Sequence, residues 1–136
     1  GRPDMAAYIF TKNIFENKPL DLFNFGRMER DFTFVNDIIS GITPLIKIKK
    51  RKSNMHKIYN LGNNKPQKLL KMVSLLEMLC KRKAKINKKR IQLGDVRHTY
   101  ASIKESKKDL KFKPKTNLKD GLEKFVTWYK EYHNIH

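Results

Sequence analysis

Two arginines, a glutamine and an aspartate sit where loops meet short β-prone segments. They are Arg2 in GRPDM, Arg30 in RDFTFV, and Gln92 and Asp95 in IQLGDV. Close to Arg30 in the chain, LDLFNFG contributes Phe23 and Phe25. Guanidinium forks bind phosphate or carboxylate in two-point contacts. A carboxylate accepts hydroxyl hydrogens of a sugar, and backbone along an aromatic strand can hold a base edge. These residue types together suit an anionic, hydroxyl-bearing ligand, and the glycine of Gly94-Asp95 would let a backbone approach closely. On residue type alone, a surface pairing of Arg30 with Asp31 or Asp37 is the competing account.

No self-sufficient catalytic set accompanies them. The chain has no CxxC pair and no HExxH, so it offers no recognisable metal site. It has no GxSxG elbow, no Walker loop and no GxGxxG. His56, His98, His133 and His136 are scattered and read as surface residues. Cys80 is the single cysteine; in an apolar helical run it reads as a reduced, buried thiol.

The 136 residues allow one modest domain, residues 1–136, with 39% hydrophobic and 32% charged content. No segment approaches a membrane span, and none reads as a secretion signal, so a cytoplasmic, membrane-free protein is expected. The opening GRPDM runs straight into a helical pattern, which reads as the interior of a longer chain. The net charge is +18, carried mainly by lysine, with basic runs at Lys47–Lys57 and Lys81–Arg90. Such a charge fits a polyanionic partner, but both runs lack interleaved aromatics for base stacking. Abundant Lys, Asn and Ile also fit an A/T-rich coding bias.

The elements that must position the candidate residues alternate in type. A first helix opens at Pro3 or Asp4, with Met5, Tyr8, Ile9 and Phe15 as its apolar stripe. LDLFNFG and RDFTFV read as strands. Asn36 or Asp37 caps a helix whose apolar face is Ile38, Ile39, Ile42, Leu45 and Ile46, and Pro44 should kink or end it. KIYNLG reads as a strand, and Pro66 starts a helix with Leu69, Leu70, Val73, Leu76 and Cys80 inward. IQLGDVRHTYA reads as a loop with extended ends. Ser102 to Glu105 forms a capping box. Thr116 opens a last helix packing Leu118, Leu122, Phe125, Val126 and Tyr129. The class is α/β or α+β.

GRPDMA, KPLDLFNFGRMERDFTFVNDI, IYNLGNNKP, LGDVRHTYA and FKPKTNLKDGLEKFVTWYKEY occur in that order. As a set they resemble the C-terminal half of NAD-dependent nucleotide-sugar epimerases, members of the extended short-chain dehydrogenase/reductase family. Within it the likeness is to UDP-glucuronate 4-epimerase, and it covers nearly the whole chain. The resemblance implies an α/β fold: the C-terminal substrate-binding lobe of an extended Rossmann-fold enzyme, lacking the N-terminal NAD-binding half. It implies NAD in the complete enzyme, a UDP-sugar ligand, an N-terminal Rossmann half in the same or a separate chain, and a homodimeric complete enzyme. The family's glycine-rich fingerprint and catalytic Tyr-x-x-x-Lys lie N-terminal to GRPDM, so no catalytic residue is expected here.

The resemblance also assigns roles. Arg2 matches an arginine near the sugar carboxylate, and Phe23 and Phe25 match the strand that embraces uracil. Arg30 matches the arginine on the diphosphate, and Asp95 matches the aspartate on the ribose hydroxyls. Gln92 stands where some relatives carry a phosphate-binding arginine, and a neutral residue there weakens the clamp. Tyr100-Ala101-Ser102 replaces Tyr-Ala-Asp, and Asn36-Asp37 replaces Asp-Asp; both changes keep cap-compatible residues. The alternatives are a basic nucleic-acid-binding module and an inert truncated remnant.

Overall fold

The computed structural model describes residues 5–46 and 56–135; Arg2 and most of the first basic run lie outside them. In chain order the elements are α1 (Ala6–Phe15), β1 (Pro19–Leu22), a 3-10 turn (Phe23–Gly26), β2 (Glu29–Arg30), α2 (Val35–Ile46), β3 (Gln67–Lys68), α3 (Leu69–Cys80), β4 (Lys85–Lys88), α4 (Lys104–Leu110) and α5 (Leu118–Tyr132). β1 pairs in parallel with β4, and β2 pairs antiparallel with β3. Both pairings are two-stranded, so helices rather than a broad sheet carry the core. None of the described helices is long and apolar enough to cross a membrane.

The main core is built from α1, β1, α3 and α5. Leu20 and Leu22 alternate inward from β1, as a strand of period two requires. They meet Met72, Val73, Leu76 and Cys80 of α3, Phe10 and Ile14 of α1, and Leu122 and Val126 of α5. Phe15 and Tyr129 stack at 5.8 Å, closing the α1–α5 seam. A smaller cluster gathers Ile103, Leu110 and Phe112 with Tyr59 and Leu61.

Several elements depart from the sequence expectations, each for a local reason. The buried positions of α1 are Phe10, Thr11 and Ile14, whereas Met5 and Ile9 are exposed, so the inward stripe is rotated from the expected one. After Leu22 the chain stops being a strand, because Asn24 and Phe25 take left-handed backbone conformations. RDFTFV keeps β pairing only at Arg30. Beyond it the segment is held by polar contacts: the Asp31 amide donates to Thr99 Oγ1 at 3.1 Å, and Phe32 O receives Asn63 Nδ2 at 3.1 Å. KIYNLG likewise forms no strand. Gly62 there lies so close to residue 101 that an added Cβ would stand 2.4 Å from the Ala101 Cβ.

The helix starts also move. α2 begins at Val35, so Asn36 and Asp37 lie in its first turn rather than at a cap. Asp37 is buried and instead accepts the amides of Lys115 and Thr116 at 3.1 and 3.0 Å. Pro44 does not end the helix, which continues to Ile46. Pro66 precedes β3, and α3 starts at Leu69. α4 starts at Lys104, with no side-chain cap from Ser102. Glu105 of the expected capping box faces Lys57 at 3.4 Å instead. Asn117 rather than Thr116 caps α5, its side chain accepting the Asp120 amide at 2.9 Å. The second basic run contains β4, a strand its lysines did not suggest.

Candidate functional site

The segment from Gln92 to Thr99 is stitched onto β2 by backbone bonds. Glu29 donates to Arg97 O at 2.9 Å, and Thr99 donates to Glu29 O at 3.2 Å. This registry sets Asp95 beside Arg30. Arg30 Nη2 donates to Asp95 Oδ1 at 2.9 Å, while Nη1 donates to the carbonyls of Glu29 at 3.0 Å and Arg97 at 3.3 Å. Both side chains are more than two-thirds buried, so the pair is held in one geometry rather than loosely at the surface. The turn that presents Asp95 is closed by its amide on Gln92 O at 3.2 Å and has Gly94 at φ +82°. An added Cβ at Gly94 would meet nothing within 4 Å. The glycine therefore serves the left-handed turn, not the close backbone approach expected from sequence.

The competing partners of Arg30 are occupied elsewhere. Asp31 accepts the amides of Asn64, Lys65 and Ala101 at 3.0, 3.3 and 3.1 Å. It thereby ties the turn at Asn64 and Lys65 and the segment at Ala101 to its own. Asp37 anchors the turn before α5, as described above.

Arg30 and Asp95 line a cleft of about 370 Å³ together with Phe23. Its floor and far wall come from Ile9 and Phe10 of α1, Met28 and Leu69, with Asn13, Pro19 and Asp21 at the β1 side. The cleft thus has an apolar body with a few convergent polar groups, the usual composition of a small-molecule site. Of the sequence candidates, Phe23, Arg30 and Asp95 converge on it. Phe25 and Gln92 are exposed and do not line it, although Gln92 holds the Asp95 turn by its carbonyl. Arg2 lies outside the described residues. Phe10, Asn13, Asp21 and Met28 were missed. Phe10 carried the signal of an apolar residue on a helix next to GRPDM; for Asp21 the strand alternation with Leu20 and Leu22 was available.

Among the other polar groups, Lys89 holds the Asp21 carboxyl below its usual range, with Asn87 adding to the effect. Burial pushes the Cys80 thiol up to about 11, only partly offset by Arg82 and Lys130. Cys80 is therefore an inert core thiol rather than a nucleophile.

No family model matches the chain. Curated proteins do. An uncharacterized protein of Methanocaldococcus jannaschii is 44% identical over 96% of this chain and 39% of its own length. UDP-glucuronate 4-epimerase 3 of Arabidopsis thaliana is 38% identical over 98% of this chain and 34% of its own length. Among solved structures, the UDP-glucuronic acid 4-epimerase of Bacillus cereus in complex with UDP-glucuronic acid and NAD superposes with a TM-score of 0.87 at 31% identity. That likeness covers 96% of this chain and 41% of the enzyme. The chain thus spans well under half the length of the proteins it matches.

By sequence and fold the chain matches the C-terminal lobe of the NAD-dependent nucleotide-sugar epimerases of the extended short-chain dehydrogenase/reductase family. The particular members that it resembles are the UDP-glucuronate 4-epimerases.

Proposed function

We propose that the chain, residues 1–136 acting as one unit, is the UDP-sugar-binding lobe of an NAD-dependent 4-epimerase. In the complete enzyme it would serve the interconversion of UDP-glucuronate and UDP-galacturonate. The observation that carries this reading is the Arg30–Asp95 pair at 2.9 Å on the wall of a cleft that also holds Phe23. In that cleft Arg30 would meet the diphosphate. Asp95 carries a second carboxylate oxygen that could accept ribose hydroxyls, and Phe23 and the apolar floor would cover the base. Arg2 would approach the sugar carboxylate, and Phe25 and Gln92 would act through the backbone turns they occupy.

The chain has no dinucleotide fingerprint, and its two Tyr-x-x-x-Lys spacings, Tyr8–Lys12 and Tyr100–Lys104, do not line the cleft, so its residues do not fit NAD and no hydride step is assigned to them. Their contribution is binding and orientation, which the chemistry of a second part would use. The proposed second part is an N-terminal Rossmann half, in the same or a separate chain, within a homodimer. The exposed apolar face of α2 supports a requirement for a covering partner: Val35, Ile39, Ile42 and Ile46 all lie open.

Isothermal titration of the chain with UDP-glucuronate tests the reading. Binding is expected, with severe loss in Arg30→Glu; affinity that survives this charge reversal would overturn the assignment. The chain alone is expected to give no epimer, so UDP-galacturonate formed from UDP-glucuronate without an added half would place the chemistry in these residues after all.

A further inference from the structure

The basic run Lys81–Arg90 has no part in the function proposed above, yet one of its members, Lys89, pairs with a residue that lines the cleft. β4 lies parallel to β1 with Asn87 opposite Asp21. Leu20 and Leu22 point into the core, so alternation puts Asp21 on the other face of the strand, where it lines the cleft with Phe23 of the following turn. Lys89 extends this pairing past β4. Its amide donates to Leu22 O at 3.0 Å, and its carbonyl receives the Phe25 amide at 3.0 Å. Two residues on from Asn87, its side chain falls on the same face. Lys89 Nζ stands 2.7 Å from Asp21 Oδ2, and Asn87 Nδ2 stands 2.8 Å from Asp21 Oδ1.

The charges make this placement matter. The ionised side chains lining the cleft are Arg30, Asp95 and Asp21. Arg30 and Asp95 cancel, which leaves Asp21 to repel an anionic ligand. Lys89 cancels Asp21. Its side chain remains nearly half exposed, so the ammonium sits on a long arm that is not locked in the core. Gln92, meanwhile, contributes no charge and does not line the cleft.

We propose that Lys89 is a ligand-binding residue of this cleft: its ammonium, held on Asp21 in the free chain, transfers to the phosphates of a bound nucleoside diphosphate and supplies the second cation that Gln92 does not. The inference rests on the UDP-sugar reading above. Asp21 is then a competitor for the ammonium, and its removal acts in the opposite sense to removal of Lys89.

The test is calorimetric titration of the chain and its variants with UDP and with uridine, with far-UV circular dichroism to confirm folding. Lys89→Met is expected to weaken UDP about tenfold, the worth of one charge-assisted hydrogen bond. Uridine, which lacks phosphates, should bind both forms alike. Lys89→Arg should retain UDP affinity, and Asp21→Asn should tighten it. Two results would overturn the role of Lys89: undiminished UDP affinity in Lys89→Met while Arg30→Glu still loses it, or equal losses for UDP and uridine. Retention of UDP by Arg30→Glu would instead overturn the underlying reading of the cleft.

Discussion

α5 and α2 are both amphipathic, but only one has its apolar face covered. α5 lays Leu122, Val126 and Tyr129 into the main core, flanked by α1 and α3. α2 buries Asp37 and Gly41 and leaves most of its aliphatic residues in the open, Val35 at 59% and Ile46 at 81% exposure. What α2 anchors from within the chain is polar: the Asp37 carboxylate holds the turn that launches α5. An apolar stripe therefore specifies that a helix needs cover, while the neighbouring elements decide whether this chain supplies it.

Substitutions can break this contrast. The largest effect is expected in the covered region: Leu76→Ala, at a fully buried position, should cost about 2–5 kcal/mol in chemical denaturation. A loss below about 1 kcal/mol would show that the α3 seam is not close-packed. Next comes the polar anchor of α2. Asp37→Ala strands two backbone amides and should cost about 2–3 kcal/mol; Asp37→Asn should recover part of this, and equal losses would deny the amide contacts a role.

Cys80 gives a smaller, pH-dependent effect. Its native thiol keeps a proton up to about 11 against an ordinary 9.0. Between those values the folded chain binds more protons than the unfolded one, so this contribution is complete below about pH 9 and is lost as pH rises toward 11. The stability advantage of the chain over Cys80→Ala should shrink across that window; an unchanged gap would mean that the thiol is not desolvated. The smallest effect is expected on α2 itself. Ile39→Gln with Ile42→Gln should change stability by no more than about 0.5 kcal/mol per site while lowering self-association in analytical ultracentrifugation. A large destabilisation would mean that the face is covered within the chain.

Much of the local structure was legible in the residues. α3 and α5 were readable because their apolar spacing matches a helical period over twelve and fifteen residues. α1 was readable as a helix, but its inward stripe was not, since β1 and α3 decide which side is buried. RDFTFV and KIYNLG have strand composition, yet their hydrogen bonds go to side chains of other segments rather than to a strand ladder: the Asp31 amide donates to Thr99 Oγ1, and Asn60 O accepts from the Ser106 hydroxyl. β4 was hidden because Lys-Ile-Asn-Lys holds a single apolar residue and carries no alternation, and its cue is its partner β1. For the cleft, residue type singled out Arg30, Asp95 and Phe23, whereas Asp21 and Lys89 became visible only through the β1–β4 register.

By itself the sequence determined the kind of chemistry available: cations, a loop carboxylate and aromatics without a cofactor fingerprint or a catalytic acid–base set. Those are properties of side chains, and they survive in any fold. The tertiary structure alone decided who pairs with whom. Arg30 could have taken any of three aspartates, and it takes Asp95 because Asp31 and Asp37 are engaged by backbone amides from segments far along the chain. Such choices depend on contacts across more than sixty residues of sequence, and no local pattern of residue types encodes them.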